Sequence, residues 1–516
     1  MSYITGMNRN QTAIISLEQY VDENNVCRVI DAFVNSLDLI ELGFKYSTPK
    51  DTGRPPFDPK DMLKLYIYGS LNKVRSSRRL EKETRRNVEV MWLMNGLTPD
   101  DKTISNFRKD NRTAMKKVFK KFNRLCISLE LFGMETASVD GTKVKANNSR
   151  KNHYTKESAE KILSKLEKQV QEYLAELDRN DSAESEESQP DCEAIGIALE
   201  KLINRKAEIE NILSWIEEND GNPVCTVDKD AALMKQGGGK GFDVCYNVQS
   251  SVDEKHGLIV DFNVTNHAND FGELSDMVAR TKETLGVEEL NLLADTGYSS
   301  GAEINDSEGL GAICFIPKAK PSHQPKNEAF SRDKFKFDSK SNTYTCPAGN
   351  VMSQTRTRKR DGFKVYANRA ACMSCPVKSQ CTKSKTLREI ERRPYQENVD
   401  RADLNAKENP ELYQRRMELS EHPFGVVKFI WGLNQFLCKG NEKVTGEMAI
   451  AFLAFNMRRA MNIIGVKKLV EAIDNSVFLS KCLLNYPKYL LYLLFESFCC
   501  AVRRIRLKSA NTLCFA

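Results

Sequence analysis

The chain has 516 residues, 41% of them hydrophobic, with 77 Lys and Arg against 70 Asp and Glu. That length exceeds one hydrophobic core and sets an expectation of two to four structural units. The opening MSYITGMNRNQT has no apolar leader, so the fifteen cysteines do not read as a secreted disulfide scaffold. The longest clean apolar run of the tail, Tyr489 to Phe495, is too short to span a bilayer. A cytoplasmic protein is expected.

The net charge of +7 is unevenly distributed. Residues 54–124 carry 19 Lys/Arg against 8 Asp/Glu, residues 157–220 carry 7 against 18, and residues 351–393 carry 12 against 3. Basic blocks separated by an acidic one point to a polyanion partner.

Residues 1–135 read as a helical, helix-turn-helix-like domain. Asp58 caps one predicted helix, Ser76–Thr84 forms a second and Val88–Leu93 a third. Asp101 or Thr103 caps a long helix from Ile104 to about Leu129. Arg75, Arg78, Arg79, Lys82 and Arg86 recur at helical spacing, as do Lys116, Lys117, Lys120, Lys121 and Arg124. Such rows suit phosphate contacts, whose hallmark is salt-dependent affinity. Ser105, Asn106 and Arg108 open the long helix and are candidates for reading base edges of double-stranded DNA. The alternative for each residue is a solvated basic face.

A short strand, Thr136–Val139, ends at Asp140. Heptad-like stripes at 157–178 and 199–216 predict a coiled-coil-like helical hairpin inserted over 150–223, with DRNDSAESEESQPD as its polar turn. Strand patterns return at 242–252 and 257–265, joined at His256-Gly257. A helix fits 270–285, a strand 290–294 ending at Asp295, and another strand Ala312–Ile316. GGGKG at 237–241 lacks the strand-loop-helix setting of a nucleotide loop and reads as a turn. His267 and Asp270 stand close to the presumed site; capping of the following helix is their blander account. Residues 321–395 form a basic, loop-rich, cysteine-bearing insertion. Helices are expected at 411–419, 420–437 and 445–473, and the tail 476–516 receives no assignment. Without the insertions, three strands are followed by α/β alternation. That is the order of an RNase H-like mixed sheet, an α/β (α+β) class, built from 136–149, 224–320 and 396–475.

Two aspartates after apolar strands, with a later acidic helix, resemble a divalent-cation site, because ligands collect at strand ends and hard oxygens suit Mg²⁺ or Mn²⁺. In LYQRRMELSEHPFGVVKFIWG, Ser420 is expected to cap a fresh helix after Pro423 is accommodated in its first turn, with Glu421 at its start. Glu421 and Lys428 are seven apart and would share a face. Arg416 and Lys428 would clamp phosphates. Glu418 is the second-choice carboxylate, and a salt-bridged surface helix is the plain alternative.

Cys372-x-x-Cys375, with Cys346 and Cys381 nearby, has the spacing of zinc ligands in a segment short of apolar residues. Free thiols or a redox pair are the alternatives.

VDGTKVKAN, LLADTGYSSG and YQRRMELSEHPFGVVK together resemble the DDE transposases of bacterial insertion sequences, in the branch with a Tyr-Arg-Glu-Lys signature. FDPKDMLKLYIYGSLNKVRSSRRLEKETRRNVEVMWLMNGLTPDDKTISNFRKDN resembles that branch's DNA-binding region. The resemblance covers about 50–475. It implies two Mg²⁺ ions held by Asp140, Asp295 and Glu421, with Tyr413, Arg416 and Lys428 as auxiliary residues. Four residues separate Arg416 from Glu421, where the best-known pattern has three. The implied activity is DNA strand cleavage and transfer at an element's terminal inverted repeats. Implied partners are the element ends and target DNA, in at least a homodimer because two ends are cut, at the nucleoid when DNA-bound. A DNA-binding remnant without catalysis, and a nuclease that never joins strands, are the competing expectations.

Overall fold

A computed structural model describes residues 16–48, 55–181, 192–236, 241–318 and 328–485. The GGGKG turn (except Gly241), most of the hairpin's polar turn and the tail beyond 485 lie outside the described residues. The chain divides into two compact units, one running to Leu131 and resuming at Gly446, the other spanning Phe132–Thr445. The expected catalytic segment 396–475 therefore divides at Thr445.

The first unit is helical. Its helices Val26–Ser36, Pro59–Leu71 and Val88–Leu93 are capped by the side chains of Asn25, Asp58 and Asn87, and Ser77–Arg86 follows Ser76, which occupies the cap position without a side-chain bond. The expected long helix from Ile104 is two helices, Asp101–Asp110 and Arg112–Ser128. Asn111 is the reason. Its side-chain amide donates to the Phe107 carbonyl (3.0 Å) and its oxygen accepts from the Lys45 amide (2.7 Å), so it competes with the helical ladder. The cap of the first helix is Asp100, whose carboxylate takes the Thr103 amide at 2.6 Å; Asp101 and Thr103 lie inside the helix. Phe33 meets Phe122 edge-on at 5.1 Å, and Phe107 stacks between Phe44 and Tyr66. The expected last helix breaks at Gly465 (φ +86°) into Asn441–Ile464 and Val466–Asn485. No single helix among the described residues is long and apolar enough to cross a membrane.

The second unit is built on a mixed sheet of strands β1 (Thr136–Lys145), β2 (Phe242–Asp253), β3 (Ile259–Thr265), β4 (Leu290–Leu293) and β5 (Ala312–Phe315). Their spatial order is β3-β2-β1-β4-β5, with an edge strand Ala232–Lys235 beside the start of β2. β1 runs antiparallel to β2 and parallel to β4; β4 runs parallel to β5. This is the RNase H-like arrangement expected from the element order. β1 is longer than the four residues expected. It pairs with β2 from Ala137 to Lys145, so Asp140 sits in mid-strand opposite Ser250 and not at a strand end. The polar residues after Asp140 hid this, because only Val144 continues the apolar alternation.

The insertion after β1 is the expected helical hairpin, α1 (Lys156–Asp181) and α2 (Cys192–Glu218). Leu163, Leu166, Leu202, Ile209, Leu213 and Ile216 pack with Tyr154 and Val224 in a local core. Helix α3 (Leu274–Leu285) and helix α4 (Gly301–Gly309) follow β3 and β4. The cysteine-bearing insertion is not loop-rich. Residues 336–392 form a five-stranded antiparallel sheet over a core of Phe335, Tyr344, Met352, Tyr366 and Ile390. Five short strands with single apolar anchors leave little periodicity in the sequence. Helices α5 (Gln396–Glu408) and α6 (Pro410–Phe424) return the chain to the mixed sheet.

Candidate active site

Asp140 and Asp295 are brought together because β1 and β4 are neighbouring parallel strands. Asp295 follows β4 and caps a single turn, accepting the Gly297 amide at 2.7 Å. Asp140 accepts its neighbour Gly141's amide at 2.8 Å. Burial pushes the Asp140 carboxyl up to about 6; the Ser420 hydroxyl and the Gly141 amide pull it down, Asp295 pushes it up, and Arg416 pulls it down. Arg416 Nη1 stands 3.6 Å from Asp140 Oδ2, with the arginine side chain 14% exposed. Tyr413 reaches the other strand, its hydroxyl donating to the Ala294 carbonyl at 3.3 Å, and burial pushes its phenol up.

These contacts come from one face of α6. Tyr413, Arg416 and Ser420 fall at helical spacing and look toward the aspartates. The expected helix start at Ser420 does not occur. α6 runs unbroken from Pro410 through Pro423, and Ser420 back-bonds to the Arg416 carbonyl at 2.9 Å. Pro423 lacks an amide hydrogen, and the helix ends one residue later in a π-turn, Gly425–Ile430. Glu421 and Lys428 are therefore not on one continuous α-helical face. Glu421 is exposed, one position beyond Ser420. Glu418 is exposed as well. Lys428 turns back to β1, its Nζ donating to Thr142 Oγ1 (2.9 Å) and to the Lys143 carbonyl (2.8 Å). Among the described residues, no three His, Cys, Asp or Glu groups stand close enough to hold one metal ion.

Asp270 is not a helix cap. α3 begins at Leu274 behind Glu273, and Asp270 Oδ1 accepts from Asn247 Nδ2 (2.9 Å) and Gln249 Nε2 (2.7 Å) of β2. The Gln249 carbonyl accepts the hydroxyl of Tyr298, which lies in the turn after Asp295. A signal for this network exists in the sequence. β2 is almost entirely buried, yet its NVQS stretch places amides at alternate positions, on one face of a strand.

The four cysteines share one pocket, lined also by Phe330, Phe335, Met352 and Arg388. Burial pushes the Cys381 thiol up, Arg388 pulls it down, and Cys372, Cys346 and Cys375 push it up. In the first unit, Arg78, Arg79, Lys82 and Arg86 project from the exposed side of helix Ser77–Arg86. Arg75 departs from that row. It precedes the helix and pairs with Glu447 at 2.7 Å. Asn106 is exposed; Ser105 and Arg108 are half-buried. Lys117 and Arg124 are exposed, Lys116 and Lys120 half-buried, and Lys121 pairs with Glu41 at 3.1 Å.

Comparison with known proteins adds two family matches: the Transposase domain (DUF772) family over residues 15–110 and the Transposase DDE domain family over residues 345–461. No curated protein and no solved structure matches the chain. The second match contains Tyr413, Arg416, Glu421, Lys428 and all four pocket cysteines, and the first contains the helix of exposed arginines. These two matches, which flank in sequence the strands that bring Asp140 and Asp295 together, support an insertion-sequence DDE transposase.

Proposed function

We propose that this transposase binds the terminal inverted repeats of its element through the exposed basic face of its first unit, and cleaves and rejoins DNA strands at Asp140, Asp295 and Glu421. The proximity of Asp140 and Asp295 carries the proposal. Asp295 raises the affinity of Asp140 for a proton, two carboxylates so placed also attract a divalent cation, and their oxygens are the hard donors Mg²⁺ or Mn²⁺ takes. Bound ions would polarise the scissile phosphate and activate a water or 3′-hydroxyl. Asp140 and Asp295 fit as two of the ligands. Glu421, exposed beside Ser420, is the third we assign, and the family's use of divalent metals supports a two-ion site. Arg416 favours the ionised form of Asp140, against the larger effect of burial, and stands where a phosphate would approach. Lys428 braces β1 two residues beyond Asp140. Tyr413 ties α6 to the chain leaving β4. At the cysteine pocket we propose a structural zinc held by Cys346, Cys372, Cys375 and Cys381, which would have to draw closer together around the ion.

The test is a plasmid bearing the element's ends, incubated with Mg²⁺ and each of Asp140→Asn, Asp295→Asn and Glu421→Gln. Each substitution is expected to cut end cleavage at least ~100-fold, in line with the loss of a ligand from a metal site, while gel-shift binding persists. Retained cleavage by the aspartate variants refutes the metal role. Cleaved but never joined products identify a nuclease in place of a transposase.

A further inference from the structure

The geometry points to Asp270 as a further acidic residue of the metal site, held in place by the amides of Asn247 and Gln249. The inference rests on the metal reading of Asp140 and Asp295. Asp270 precedes α3 and approaches from the sheet face shared by Gly141 and Gln249, opposite the face shared by Asp140 and Ser250. As the chain stands, no three acids among the described residues close on one ion, and three observations bring the Asp270 carboxylate to the edge of the site.

First, the strand register brings it there. Gly141, directly after Asp140, faces Gln249 across the β1–β2 ladder. A Cβ at Gly141 would lie 2.4 Å from Gln249 Nε2 and 2.5 Å from Asp270 Oδ1. Only glycine leaves room for that oxygen beside the backbone of the first aspartate. A Cβ at Gly297, in the turn capped by Asp295, would lie 3.6 Å from Asp270 Oδ2. The carboxylate thus spans from the residue after Asp140 to the turn of Asp295.

Second, its two oxygens are used unequally. Oδ1 accepts both amides, at 2.9 and 2.7 Å, while no bond to Oδ2 occurs among the described residues. One oxygen is fixed and the other is presented toward Asp295, the way an oriented ligand is held.

Third, the surrounding polar groups are built for a guest. Asn247 is 1% exposed, yet its Oδ1 has no hydrogen-bond partner, a costly state for a buried acceptor. The Tyr298 phenol, 1% exposed, feels Asp270, Asp140 and Asp295 together.

The experiment is Mn²⁺ binding to the full chain, followed by the electron paramagnetic resonance signal of free Mn²⁺, with a thermal melt in EDTA beside it. Asp270→Asn keeps shape and both accepted bonds but removes the charge. It is expected to weaken Mn²⁺ at least ~10-fold, the lower end for loss of a supporting group at a metal site, to leave the EDTA melt unchanged, and to regain cleavage at raised Mn²⁺. Asp140→Asn is run in parallel. If Asp140→Asn weakens Mn²⁺ and Asp270→Asn does not, the role of Asp270 is overturned and the metal reading stands. If neither weakens it, the metal reading falls and takes this inference with it. A lowered melt with unchanged Mn²⁺ affinity makes Asp270 merely structural. Should Asp270→Asn fail to fold, Gln249→Met removes one orienting donor; weaker Mn²⁺ binding supports the inference and wild-type affinity overturns it.

Discussion

Asp140 should destabilise the metal-free protein at neutral pH. Its carboxyl is pushed from 3.8 up to about 6, chiefly by burial, with its side chain 21% exposed. Below pH ~4 both folded and unfolded chains hold the proton, and the residue contributes nothing. Between pH ~4 and ~6 the unfolded chain releases it while the folded chain retains it, so stability falls as pH rises and stays lowered above ~6. A shift of about two units corresponds to an upper figure of about 3 kcal/mol at ~1.4 kcal/mol per unit. Asp140→Asn removes that penalty, and gives up the Arg416 and Ser420 contacts as a partial offset. A net gain of about 1–2 kcal/mol is expected, or roughly 1.5–3 °C in Tm for a unit of this size. The assay is thermal melting of both proteins in EDTA at pH 4 and pH 8. Asp61 and Asp253 are also pushed up by burial, but they are common to both proteins and cancel in the difference. The variant should gain at pH 8 and not at pH 4. Added Mg²⁺ should then raise the melt of the wild type alone, since a ligand stabilises the form that binds it. Equal melts at both pH values, or a loss at pH 8, would refute the account of Asp140 as a buried, crowded carboxylate.

Replacing Arg78, Arg79 and Lys82 together with alanine removes three exposed cations and no core contact; DNA affinity should fall and its log–log salt slope should shrink by up to ~3, read by fluorescence anisotropy across a salt series. An unchanged slope would place DNA elsewhere. Lys428→Met deletes two bonds to β1 while keeping the stem, and should lower both cleavage, about 10-fold, and the melting temperature, by the ordinary worth of charged hydrogen bonds. Zinc analysis of purified protein should find about one ion per chain, and none after Cys372→Ser with Cys375→Ser; a zinc-free wild type removes the structural-metal proposal.

Much of the catalytic unit was legible because its strands are apolar and its insertions are compositionally distinct. The hairpin's stripes gave α1 and α2 closely, since two facing apolar rows leave one way to pack. Boundaries failed where polar side chains do structural work. Asn111 divides a helix that its apolar neighbours would continue, and Thr142 and Lys143 extend a strand that periodicity ends at Asp140. The cysteine-bearing sheet was hidden because its strands are three to seven residues long and offer at most three buried residues each.

The site was half legible for a related reason. A turn-forming residue after an apolar strand marks Asp295 directly. Glu421 was placed by assuming an α-helical period through Pro423, and the π-turn that follows changes the angular relation to Lys428 that this period supplied. What periodicity could not reach was the partnership across β2. Asn247 and Gln249 are amides on a buried face, and a buried amide demands a partner from outside its own strand. Asp270 is that partner, and it stands there because Gly141 carries no Cβ. The glycine after Asp140 is thus part of this geometry, since a methyl group at Gly141 would displace the Asp270 carboxylate from beside that strand.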